Sequence, residues 1–220
     1  MRTIRVSINK VVLNNSGLTF KAMSDELPSK EFFNTIMRKI RGVSFSYVIE
    51  MTTGCKVIPV DEEKDKEVLD EVYEAAKAVI EDAREEDFSL LRPNEISNRL
   101  EEKLREKLRG AIPEGKTAGY PNIMIERRGK TYYVEVKLAE VGQLDGNFRT
   151  FYYEPVELTK VKRDASHIMV GFIHENKKPI GFKLVDLSKI KVNLKSEFNA
   201  NNKELYKREA VIKSYQKPPS

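Results

Sequence analysis

Cysteine occurs once, at Cys55, which excludes a disulfide framework and any zinc site built from several thiolates. Histidine is almost as scarce. His167 and His174 are the two present, so no His-based metal cluster is available, and a bound metal would have to be held by oxygen. No apolar run approaches the roughly 18 residues that span a bilayer, and the first residues, Met1-Arg2-Thr3-Ile4-Arg5-Val6, lack the apolar stretch of a secretion signal. These absences predict a soluble, cytoplasmic protein with no membrane partner, in a compartment where a free thiol survives. Repeats and low-complexity tracts are missing too, and only the tail, residues 216–220, reads as disordered.

Charge is plentiful. Lys and Arg number 39 against 34 Asp and Glu, a net of +5, which suits a polyanionic partner while leaving a surface of mixed sign. With 220 residues, 40% of them hydrophobic, the chain can bury one full core. Residues 3 to 13 alternate loosely as a strand. Ser29 caps a helix carrying Phe32, Phe33, Ile36, Met37 and Ile40. Val43 to Ile49 and Lys56 to Val60 read as strands, and Asp61 opens a long amphipathic helix to about Asp82. After the break at Arg92-Pro93-Asn94, a helix from Glu95 to about Arg109 repeats Ile96, Leu100, Leu104 and Leu108 every four residues. Later strands are expected from Ile168 to Ile173 and from Gly181 to Val185.

Between them, residues 123–134 alternate apolar and polar side chains on either side of Arg128-Gly129, the pattern of a tight β-hairpin. With those two as the turn, Ile125 pairs with Tyr132, Met124 with Tyr133, and Asn122 lies across from Glu135. Side chains alternate along a strand, so Lys137 shares the face of Glu135 while Val134 and Val136 point the other way. Asn122, Glu135 and Lys137 therefore converge at the open end of the hairpin. A Glu-x-Lys triplet in a chain this charged also fits a plain solvated strand face. Phosphodiester hydrolysis, however, calls for this combination of a hard oxygen ligand for Mg²⁺ and a nearby cation.

Pro121-Asn122 followed by Glu135-Val136-Lys137 resembles the PD-(D/E)XK nucleases, specifically type II restriction endonucleases, in which a Pro-Asp pair on one strand precedes a Glu-x-Lys on the next. The similarity covers roughly residues 93 to 206 and includes the stretches 146–153, 163–172 and 194–206. It implies an α/β fold with a mixed central sheet flanked by helices, divided into an N-terminal accessory or recognition region, 1–90, and a catalytic core, 91–215, within one compact unit. It implies Mg²⁺ as cofactor, duplex DNA as substrate, and Asn122 and Glu135 as metal ligands beside the catalytic cation Lys137. A helix ahead of the hairpin often lends another acid in this family. Glu101, at the border of its apolar stripe, suits that role better than Glu95 or Glu102. Cutting both strands of a short palindrome needs two sites related by a two-fold axis, hence a homodimer.

One departure bears on activity. Asn122 stands where the family has Asp, which removes a charge and is expected to weaken metal binding, so that the chain cuts slowly or not at all. A DNA-binding protein without cleavage and a repair nuclease, both on the same fold, remain the alternatives. For DNA contacts we single out Arg149, within an aromatic stretch, the basic cluster Lys160, Lys162 and Arg163, and Asn199 and Asn201. His167 is read as a structural histidine.

Overall fold

Arg128 and Gly129 both adopt positive φ, 52° and 74°, the type I′ geometry whose twist matches that of the strands it joins. That turn sets the register of the hairpin it closes. In the computed structural model the described residues are 41–115, 119–146, 153–154, 159–194, 208–209 and 212–213, together with the backbone of 13–14 and 17–18. The chain divides into two compact units, Met1–Lys39 with Lys195–Ser220, and Ile40–Leu194. In the first, β1 (Leu13–Asn14) pairs antiparallel with β2 (Gly17–Leu18). The helix expected from Ser29, Arg149, Asn199 and Asn201, and the tail 216–220 lie outside the described residues.

The second unit is a mixed α/β structure, as the restriction-endonuclease resemblance implies. Its sheet runs β4-β5-β6-β7, with β4 at Ile123–Arg127, β5 at Lys130–Glu140, β6 at Ser166–Glu175 and β7 at Lys178–Asp186. Strands β5 and β6 are parallel, and the outer two pairings are antiparallel. Ile125 pairs with Tyr132 and Met124 with Tyr133, the register the turn residues predict. A short strand β3 (Val43–Ser44) pairs separately with β8 (Lys191–Val192). Helices cover both faces. On one, α2 (Lys66–Ala83) and α3 (Pro93–Lys107) pack Val72, Ala76, Val79, Leu100 and Leu104 against Ile123, Val134, Val136 and Val170. On the other, α1 (Phe45–Thr53) brings Phe45 and Ile49 against Tyr133.

Helix α3 keeps the spacing read from its sequence, with Ile96, Leu100, Leu104 and Leu108 all fully buried. Because α2 and α3 share one core, no break in packing falls at residue 90. The stretch 43–49 corrects our expectation of a strand. Only Val43–Ser44 is extended, and a helix begins at Phe45 because the Ser44 hydroxyl accepts the Tyr47 N–H at 3.2 Å. Phe45 and Ile49, four apart, then fall on one buried face, and Gly54 ends the helix. Lys56 to Val60 likewise form no strand beyond an isolated bridge from Val57 to Ala165. The long helix starts at Lys66 rather than Asp61, whose carboxylate holds a turn by accepting from the N–H groups of Glu63 and Lys64. Among the described residues no helix is long and apolar enough to cross a membrane.

Asp65 fastens the start of α2 to the hairpin. It is 2% exposed, and its carboxylate accepts from Lys130 at 2.7 Å, the Tyr132 hydroxyl at 2.8 Å and the Asp61 N–H at 3.0 Å. Burial pushes this carboxyl upward, but the three donors together outweigh it and hold the pKa below its usual 3.8. The stabilisation is therefore present above that value and is lost as pH falls through the lower folded-state one. Asp65→Ala strands the buried Tyr132 hydroxyl and is expected to cost about 2–4 kcal/mol in urea denaturation at neutral pH. A cost within experimental error of zero would remove Asp65 from the list of anchors.

Candidate active site

The hairpin pairing Ile123–Val134 continues outward into Asn122 and Glu135, and α3 comes over the same end of the sheet with Glu101. Asn122 is the hub. Its side-chain carbonyl accepts the Val136 N–H at 2.8 Å, its amide nitrogen donates to Glu101 Oε2 at 2.9 Å, and its backbone N–H donates to Glu135 Oε2 at 3.2 Å. The amide can sit only one way round, because one neighbour is a donor and the other an acceptor. Glu135 Oε1 in turn accepts from the Lys137 ammonium. The four residues singled out for chemistry thus form one bonded cluster.

This cluster is not a solvated face. Glu135 is 3% exposed, and burial raises its pKa against the opposing pull of Lys137. Burial likewise raises Glu101, against the attraction of Lys160, Lys137 and Arg105. Other acids on α3 and β4 are engaged elsewhere. Glu95 accepts the Arg92 N–H at 2.7 Å at the start of its own helix, the Glu102 side chain is 64% exposed, and Glu126 pairs with Arg163. Among the described residues no group of three or more His, Cys, Asp or Glu is placed to hold a metal ion. Two carboxylates, Glu101 and Glu135, are what the cluster offers.

Behind it stands a buried aromatic layer. The Tyr120 hydroxyl and His167 Nδ1 are 2.6 Å apart, and Phe45, Tyr133 and Tyr153 surround them. His167 is fully buried, which lowers its pKa to about 3, so the ring is neutral at physiological pH and structural, as expected. Among the described residues its buried Nε2 has no hydrogen-bond partner. Tyr120 fixes the backbone just ahead of Asn122, and its carbonyl accepts the Lys160 N–H at 2.7 Å.

The basic cluster at 160–163 splits. Lys162 and Arg163 are exposed, as surface contacts would be, with Arg163 paired to Glu126. Lys160, unlike those two, is 2% exposed and lies within electrostatic reach of Glu101 and Glu135. Sequence reading missed this placement. Residues 159–165 belong to no regular element apart from one bridge, so no periodicity distinguishes the buried lysine from its exposed neighbours.

The model of the type II restriction enzyme MjaV family matches residues 37–209, a span that contains the whole cluster. Type II restriction enzyme MjaV of Methanocaldococcus jannaschii is 32% identical to this chain, in an alignment covering 87% of the chain and 96% of that relative. No solved structure matches. A match over most of its length, on a sheet and helix arrangement compatible with a restriction-endonuclease-like fold, makes this chain a member of the type II restriction enzyme MjaV family.

Proposed function

We propose that the protein is a magnesium-dependent endonuclease of the PD-(D/E)XK kind that cuts both strands of duplex DNA at a short specific sequence, acting as a homodimer. The observation that carries this reading is the convergence of Glu101, Asn122, Glu135 and Lys137 through direct bonds at the open end of one hairpin. Mg²⁺ characteristically takes one or two carboxylates and completes its shell with water and phosphate oxygens, so the donor set fits. Glu101 and Glu135 would hold the ion. When bound, it supplies Lewis-acid polarisation of the phosphate and activation of water.

The remaining work belongs to the chain. Asn122 would present Glu101 by donating to it, and this use of its amide favours Glu101 over residue 122 as the second ligand. Lys137, fixed by Glu135, sets a cation where it can orient the attacking water and meet charge developing on phosphate oxygens. Exposed bases such as Lys162 and Arg163 would contact the DNA backbone.

Incubation of supercoiled plasmid with the protein and Mg²⁺ is expected to give discrete bands, slowly, and none when the ion is chelated. A smear independent of sequence would favour a repair nuclease. The neutral Asn122 favours a second reading, a protein that binds its site without cutting, and retarded bands in a gel shift with no cleavage would support it.

A further inference from the structure

We propose that Lys160 is a phosphate-contacting residue of the active site, its ammonium held in reserve for the scissile phosphodiester. This rests on the nuclease reading and adds to it a second cation with a role different from that of Lys137. Its backbone is tied to Tyr120, two residues before Asn122, by a 2.7 Å hydrogen bond. Its stem runs past Gly115. A Cβ built on Gly115, which has φ +142°, would lie 2.6 Å from Lys160 Cγ, so only glycine lets the lysine pass there.

A buried ammonium that served merely as a counter-ion would be found bonded to its carboxylate, as Lys137 is to Glu135. Lys160 differs. It interacts electrostatically with both Glu101 and Glu135, yet among the described residues it forms no ion pair with either. A cation on a residue this little exposed, and not locked to a single carboxylate, stays able to take an incoming anion. Charge points the same way. Glu101 and Glu135 are balanced by Lys137 and Lys160, so a divalent ion entering alone makes the cluster positive, and ion and phosphate are then taken up together.

Lys160→Met keeps the stem that runs past Gly115 and removes the charge. Three measurements on the intact protein test the proposal: single-turnover cleavage in Mg²⁺, calorimetric binding of Mn²⁺ without DNA, and the melting temperature. We expect cleavage to fall by about 10²-fold or more, as when one positioned donor is lost at a developing oxyanion. Mn²⁺ should bind at least about tenfold tighter once the competing cation is gone. Melting should be unchanged or higher, since an apolar side chain replaces a buried charge. Lys160→Arg, which keeps the charge, should bind Mn²⁺ as weakly as the parent. Parental cleavage together with parental Mn²⁺ affinity in Lys160→Met would overturn the proposal. A parent protein that neither binds Mn²⁺ nor cuts would overturn the nuclease reading itself.

Discussion

Lys137→Ala and Glu135→Gln each lose at least about 10²-fold in cleavage rate while remaining folded and binding duplex DNA in the presence of Ca²⁺; that is the result we expect from the cluster at the hairpin's end. Both side chains bond within the cluster, so their removal takes away chemistry. Glu135 carries a further signature. Burial raises its pKa above the usual 4.5, which means that its ionised form opposes folding. Glu135→Gln should therefore melt no lower than the parent at pH 8. The difference should shrink as pH falls and vanish well below 4.5, where the parent carboxyl is protonated in both folded and unfolded states. Undiminished cleavage by Lys137→Ala would remove that residue from the site, and a large drop in melting at pH 8 for Glu135→Gln would mean that the carboxylate is structural.

Asn122→Asp should change behaviour in the opposite direction. The substitution alters one charge and almost no volume, and the Val136 N–H keeps its acceptor. What it destroys is the 2.9 Å contact from the Asn122 amide to Glu101, where two carboxylates would now face each other. Such a pair cannot stay ionised without a proton or a cation between them. In metal-free buffer at neutral pH the variant should thus lose about 1–3 kcal/mol of stability, and millimolar Mg²⁺ should restore it. The same repulsion becomes affinity once an ion is present. We expect divalent binding to tighten by about tenfold or more and plasmid cleavage to accelerate with it. Calorimetry and a cleavage time course beside the parent chain decide the matter. Equal metal affinity and equal cutting would mean that Glu101 and Glu135 already suffice.

The hairpin and its cluster were legible because their signals are local. A Gly-containing two-residue turn fixes register, and register fixes which side chains share a face, so Asn122, Glu135 and Lys137 could be brought together from spacing alone. Glu101 was legible for a related reason, since helical periodicity placed it beside the buried Leu100 and Leu104 and away from the exposed side of α3. Val43-Ser44-Phe45-Ser46-Tyr47-Val48-Ile49 misled because alternation suggests a strand, while the cap at Ser44 and the packing of Phe45 and Ile49 decided for a helix. Lys160 was misplaced for want of any period. Its burial depends on Tyr120 and Gly115, both far away in the chain, and nothing adjacent to it announces either contact.

One guanidinium also bears on how the molecule would fail under heat. Arg127, at the end of β4, makes a two-pronged bond to Glu71 on α2 at 2.8 and 2.6 Å and donates to the Leu108 carbonyl just past α3 at 2.8 Å. A single rivet joins three elements at the end of the hairpin opposite the cluster. Fraying of β4 would have to release both helices, and either helix in leaving would drag on the strand that carries Asn122. Loosening at that end of the hairpin is thereby linked to loosening of the two helices, through a pair whose side chains are 30% and 36% exposed and which contributes about 1 kcal/mol.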